Sequence, residues 1–237
     1  MSGAAPPRST LRLYYAAAWA ATAEAAAAFV AAEDVASLSP AMHPRRRAEH
    51  LAGRALLRFA LQDWTGRPAR SHRLRVAPTG KPECIDGPAL SVAHSGELIV
   101  CALASQGRIG VDVEFPARGR SIDAIAARHF SAEESAWVAV QPLERFHMLW
   151  VLKEAYLKAL GLGLAGGLGT LTCRIAPPSI DAAVTNSADV PALALYAASG
   201  AFVAIAALDQ ECHDVTVLAW TPDSTARPAL DLLARTA

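Results

Sequence analysis

Ile109-Gly110-Val111-Asp112-Val113-Glu114 alternates apolar and acidic side chains with period two, whereas Leu149, Leu152, Tyr156 and Leu160 recur at spacings of three and four. A chain with both patterns must bury one face of a strand and one face of a helix, which points to a mixed α+β fold. In the strand Ile109, Val111 and Val113 point one way, and Asp112 and Glu114 share the other face. Two such charges about 5 Å apart, at an effective dielectric near 20, repel by roughly 3 kcal/mol, and a divalent cation between them reverses the sign. Oxygen ligands alone suit a hard ion such as magnesium, which takes one or two protein carboxylates and leaves its other positions to water and phosphates.

On the helix Trp150, Glu154 and Lys158 follow one another at i, i+4, with Lys153 one residue aside and Gly161 as a stop. Two readings fit. One is an ordinary amphipathic helix with a solvated Glu-to-Lys pair worth about 0.3–0.5 kcal/mol. The other is an exposed edge that presents one carboxylate and two ammonium groups to a ligand. Lysine usage bears on the choice: of 22 basic residues only Lys81, Lys153 and Lys158 are lysine. In a composition so biased toward arginine, a lysine kept merely for solubility tends to appear as arginine. Two of the three flank Glu154, and the third sits in the turn-like Thr79-Gly80-Lys81-Pro82, where Gly and Pro fix the backbone. A compact ammonium approaches phosphate differently from a guanidinium fork.

Gly80-Lys81-Pro82, Ser91-Val92-Ala93-His94-Ser95-Gly96, Gly110 to Glu114, Phe130-Ser131 with Glu134, and Trp150 to Gly163 follow in an order and spacing that resembles the Sfp-type 4'-phosphopantetheinyl transferases. The resemblance covers most of residues 38 to 164. It implies two similar α/β lobes with pseudo-two-fold symmetry, residues 1–106 and 107–237, with coenzyme A in the cleft between them. The implied reaction moves the 4'-phosphopantetheine arm of coenzyme A to a serine of an apo acyl or peptidyl carrier protein and releases adenosine 3',5'-bisphosphate. Magnesium would be the cofactor, held by Asp112, Glu114 and Glu154, while Lys158 contacts the pyrophosphate and Lys153 is a second candidate.

Glu154 is the implied base for the carrier serine, directly or through a metal-bound water. Glu134 has two readings: an acidic position that the resemblance places near the site, or the closing residue of a capping box begun by Ser131. His94 matches the histidine that contacts the 3'-phosphate, although Ala93 stands where many relatives carry serine. Arg45, Arg46 and Arg47 read either as a solvated face or as nucleotide contacts; Arg45 and Arg54 are favoured, and Lys81 completes the coenzyme A set.

With 237 residues, 53% of them hydrophobic, the chain can bury one large core or two modest ones. Zero formal net charge argues against a broad nucleic-acid binder. Cys84, Cys101, Cys173 and Cys212 form no C-x-x-C pair, so buried free thiols are expected rather than a zinc site. Met1 to Arg12 lacks the pattern of a signal peptide, which makes the cytoplasm the expected location, and the Ala-rich run from Ala16 to Ala32 reads as a surface helix rather than a membrane span. A monomer is expected, with an acidic carrier meeting Arg118, Arg120 and Arg128.

Strands are predicted at 11–16, 74–77, 99–104, 109–114, 171–175, 201–208 and 215–220, and helices at 48–62, 122–128 and 143–160. Residues 161–169 and 176–190 read as loops, and the tail with Leu230, Leu232 and Leu233 as a short helix. No internal repeat is evident.

Overall fold

The computed structural model describes residues 10–17, 27–117, 121–185, 187, 189–212, 214–220 and 230–236. Most of the Ala-rich run, the first nine residues, Arg118 and Arg120 lie outside the described residues, as do Pro222 and Pro228. No helix among the described residues is long and apolar enough to cross a membrane.

Along the chain come β1 (Leu11–Ala17), α1 (Ala32–Ala36), α2 (Pro44–Thr65), β2 (Leu74–Val76), β3 (Pro82–Cys84), β4 (Ala89–Ser95), β5 (Leu98–Ala104) and β6 (Arg108–Glu114). They are followed by α3 (Ile122–His129), α4 (Ala132–Val140), α5 (Pro142–Leu160), β7 (Leu171–Ala176), β8 (Ser179–Val184), β9 (Ala192–Ala198), β10 (Ala201–Leu208), β11 (Val215–Ala219) and β12 (Asp231–Arg235). The strands form a four-stranded sheet in the order β11-β1-β5-β4, a six-stranded sheet β6-β10-β9-β12-β8-β7 and the hairpin β2-β3.

Period-two alternation sorts the side chains into layers. Leu13 and Tyr15 of β1, Val100 and Ala102 of β5, Val111 and Val113 of β6 and Val203 and Ile205 of β10 share one buried cluster, so the two sheets pack face to face. Tyr14, Ile99, Cys101 and Leu103, on the other face of the first sheet, meet Ala52, Leu56 and Ala60 of α2. Leu193, Leu195, Ala204 and Ala206, on the outer face of the second, meet Leu149, Leu152, Ala155 and Tyr156 of α5. The result is a mixed α+β arrangement of helix, sheet, sheet and helix.

The long helices have legible ends. The His43 ring Nδ1 accepts from the Arg45 N–H at 3.3 Å, Pro44 opens α2, and Gly66 closes it in the left-handed conformation at φ 72°. The helix therefore begins four residues earlier than expected and carries Arg45 to Arg47 in its first turn. Fully buried Arg58 ties α2 to α1 through Asp34 and donates to the Ala69 and His72 carbonyls at 3.2 and 3.1 Å.

Several expectations are corrected. Residues 179–184 form β8, paired antiparallel with β7, where loop-like composition hid a strand whose Ile180 alone is fully buried. The tail is not a helix: β12 pairs with β9 and β8, and the open sheet edge overrides leucine's helical propensity. His94 lies on β4, and residues 163–170, expected as loop, form two 3-10 turns. Strand β9 went unpredicted. Strand β11, although it follows residue 106, runs parallel to β1 with Leu11 opposite Val215.

Candidate active site

At Gly110 a side chain is excluded by geometry. A Cβ there would sit 1.9 Å from the Ala155 carbonyl oxygen and 2.5 Å from the Ala159 nitrogen, so the backbone of α5 rests directly on β6. That closeness lets Lys158 Nζ reach Asp112 Oδ1 at 2.6 Å. Asp112 is 7% exposed, and its Oδ2 is fully buried without a hydrogen-bond partner. Burial pushes the Asp112 carboxyl above the usual carboxylate range, while Lys158 pulls it down and Glu114 pushes it up.

Glu114, half-buried, accepts from Ser95 Oγ at 3.0 Å, a contact that crosses from β6 to the end of β4. Glu154 lies one helical turn before Lys158, with its Oε1 fully buried. Among the described residues no three His, Cys, Asp or Glu side chains gather as a group able to hold a metal ion. The donors nevertheless suit a hard cation. Asp112 presents a buried oxygen with nothing to satisfy it, its other oxygen already holds an ammonium, and magnesium needs only one or two protein carboxylates.

Two adjoining clefts share Gly80, Pro82 and Val92. The first, about 210 Å³, reaches Ser91, Lys158 and Gly161; the second, about 160 Å³, is lined by Glu49, His50, Arg54 and His94. Partial burial of the His94 ring lowers its pKa, with Glu49 raising it and Lys158 and Arg46 lowering it. Its electrostatic neighbours thus come from α2 on one side and from α5 on the other. Arg54 Nε stands 3.5 Å from His50 Nε2.

Lys81 turns its ammonium to backbone, donating to the Ile109 carbonyl at 2.8 Å and the Lys158 carbonyl at 2.7 Å. Arg45 is exposed and pairs with Glu49 at 3.1 Å. Lys153 corrects the exposed-edge reading: it is 1% exposed, lies 2.9 Å from Glu134, and donates to the carbonyls of Leu168 and Leu171. The physical reason is that α4 packs on α5 and places a buried carboxylate against position 153. Glu134 closes the expected capping box with Ser131, and its Oε1 also accepts from the Cys173 N–H at 2.8 Å. All four cysteines are free, and Cys101, Cys173 and Cys212 are buried.

Sequence reasoning missed Glu49, His50 and Ser95. The i, i+4 spacing of Glu49 from Arg45 and of His50 from Arg54 was the available signal; for Ser95, only its place next to His94 hinted at a role.

Residues 108–199, which carry β6 and α5, match the family model described as the 4'-phosphopantetheinyl transferase superfamily. Over that segment the chain is similar to that superfamily. It is 33% identical over 132 residues to the 4'-phosphopantetheinyl transferase psf-1 of Bacillus pumilus, covering 53% of this chain and 55% of that protein. It is 30% identical over 148 residues to the 4'-phosphopantetheinyl transferase HetI of a Nostoc species (59% and 62%), and 34% identical over 131 residues to a 4'-phosphopantetheinyl transferase of Bacillus subtilis (53% and 57%). The chain spans a little over half the length of these curated relatives. The matched segment contains Asp112, Glu114, Glu154 and Lys158, whereas His94 and Arg54 precede it.

Proposed function

We propose that the chain transfers the 4'-phosphopantetheine arm of coenzyme A to a serine of an apo carrier protein, releasing adenosine 3',5'-bisphosphate. The observation that supports this most directly is the contact with Asp112 of Lys158, which lines a cleft that shares Gly80, Pro82 and Val92 with a second cleft lined by His94 and Arg54. A cation, a buried carboxylate and an anion-compatible cleft stand together where a diphosphate must be held and split.

In this reading Asp112, Glu114 and Glu154 would hold magnesium, which would supply charge neutralisation at the diphosphate. His94 and Arg54 bind the phosphates of the nucleotide end, and Lys158 stands at the pyrophosphate and stabilises the departing phosphate oxygen. The nucleophile is the carrier's serine, so the chain needs only a base. Glu154 takes the hydroxyl proton as the serine oxygen bonds to phosphorus and the bond to the bisphosphate breaks. Coenzyme A then lies in the seam between two lobes of a monomeric cytoplasmic enzyme, the first of which also takes in β11, and the acidic carrier docks against Arg128.

Intact-mass spectrometry tests the proposal. Apo carrier proteins incubated with coenzyme A, magnesium and the chain should gain one phosphopantetheine, and Asp112→Asn or a chelator should abolish the gain. If coenzyme A binds and no carrier is modified, the chain is a binding module and the roles of Glu154 and Lys158 fall.

A further inference from the structure

Lys81 is half-buried where three elements meet, with Glu83 of the same hairpin and Arg108 as its charged neighbours. It belongs to the turn between β2 and β3, yet both of its hydrogen bonds leave that hairpin. One goes to the carbonyl of Lys158 in the last turn of α5, the other to the carbonyl of Ile109 on β6, the edge strand of the six-stranded sheet. Helix ends leave their last carbonyls without intrahelical partners, and a cation at that end also meets the negative pole of the helix dipole. The Lys158 carbonyl receives the Gly161 N–H at 3.2 Å, a long bond, and Lys81 at 2.7 Å, a short one. Lys81 is thus the stronger tether of the residue whose side chain holds Asp112. Ser91 Oγ, which accepts from the Val111 N–H at 3.1 Å, pins the same strand two residues further on.

We propose that Lys81 is a positioning residue, one that acts through the backbone of Lys158 and Ile109 rather than on the phosphates of coenzyme A. The inference rests on the transferase reading for its catalytic consequence but not for its structural one. Two of the three N–H bonds of Lys81 are committed to carbonyls, and the ammonium forms a wall between the 210 Å³ cleft and a larger groove behind it bounded by Cys84, Arg108 and Leu160. Removing the ammonium frees the C-terminal turn of α5 and lets Lys158 drift from Asp112.

The test uses Lys81→Met and Lys81→Arg. In the coenzyme-free protein, amide hydrogen exchange at Gly161 and Leu162 should accelerate about ten- to hundredfold in Lys81→Met, the weight of one or two charged hydrogen bonds, and should be slowed again in Lys81→Arg. In the transfer assay kcat should fall by a similar factor while KM for coenzyme A stays within about threefold. The penalty for replacing coenzyme A with 3'-dephospho-coenzyme A should be the same in Lys81→Met as in the wild type. Unchanged exchange at Gly161 and Leu162 overturns the inference, as does a dephospho penalty that disappears in the variant, because that result makes Lys81 a direct phosphate ligand. The exchange measurement stands even if the protein modifies no carrier. Should Lys81→Met fail to fold, Lys81→Gln, which keeps a neutral donor, carries the same measurements.

Discussion

Replacing Gly110 with alanine asks whether the contact of α5 on β6 builds the site. The added Cβ would begin 1.9 Å from the Ala155 carbonyl oxygen and 2.5 Å from the Ala159 nitrogen. Ordinary van der Waals contact starts at 3.4 Å, so the helix must retreat by about 1.5 Å, and both opposing atoms are backbone that no rotamer change can move. A retreat of that size carries the Lys158–Asp112 contact from 2.6 Å toward 4 Å, out of hydrogen-bond range. Overpacking costs about 1–3 kcal/mol, and a backbone clash belongs at the upper end. For a chain of this length about 3 kcal/mol corresponds to a Tm lower by about 6–12 °C. Calorimetry reads the stability, and intact mass of a carrier reads the transfer, which should fall more steeply than the Tm suggests. Gly53→Ala is the matched control: its Cβ would meet Val92 Cγ1 at an unstrained 3.6 Å, and in a helix the change stabilises by about 0.5–1 kcal/mol. A Gly110→Ala protein that melts within about 2 °C of wild type and transfers at the wild-type rate refutes the reasoning.

Lys153→Met strands the buried Glu134 carboxylate and should cost about 3–5 kcal/mol by urea unfolding, much of it recovered in the double variant with Glu134→Gln; a loss under about 1 kcal/mol contradicts the burial of that pair. Asp112→Asn should leave the Tm unchanged or higher, because it removes a carboxylate whose burial disfavours its charge, while transfer drops more than about a hundredfold; a lower Tm with activity intact would show the opposite role. Burial lowers the Lys81 pKa from 10.5 to about 8. Between those values the unfolded chain holds more protons than the folded one, so this group makes stability rise with pH there. The stability of wild type minus that of Lys81→Met should increase from pH 8 to pH 10.5, and a flat or falling difference in chemical denaturation excludes the assignment.

The elements that carry the site were the most legible in sequence. Strand β6 and helix α5 announce themselves because each buries one face and leaves the other polar, and the periodicity survives in a single sequence. What periodicity cannot give is rotation about the helix axis relative to the neighbours. Lys153 reads as a companion of Glu154 and Lys158, yet it points to α4, where Glu134 waits; that pairing depends on a residue nineteen positions away. Lys81 was legible as unusual, since only three lysines occur, but its carbonyl partners lie in elements that share no local pattern with it. Strands β8 and β12 were hidden for a different reason: their pairing comes from an edge supplied by other strands, and Ser179, Asp181 and Leu232 look like loop or helix residues until that edge is present.

Because β11 lies parallel to β1, the first sheet is completed by residues made about 200 positions after it begins, or about 10–40 s later at ribosomal rates of about 5–20 residues per second. Throughout that interval Leu11 to Tyr15 offer one unpaired edge, since β5 covers only the other. During synthesis that open edge is a ready template for pairing with another chain until β11 emerges and covers it.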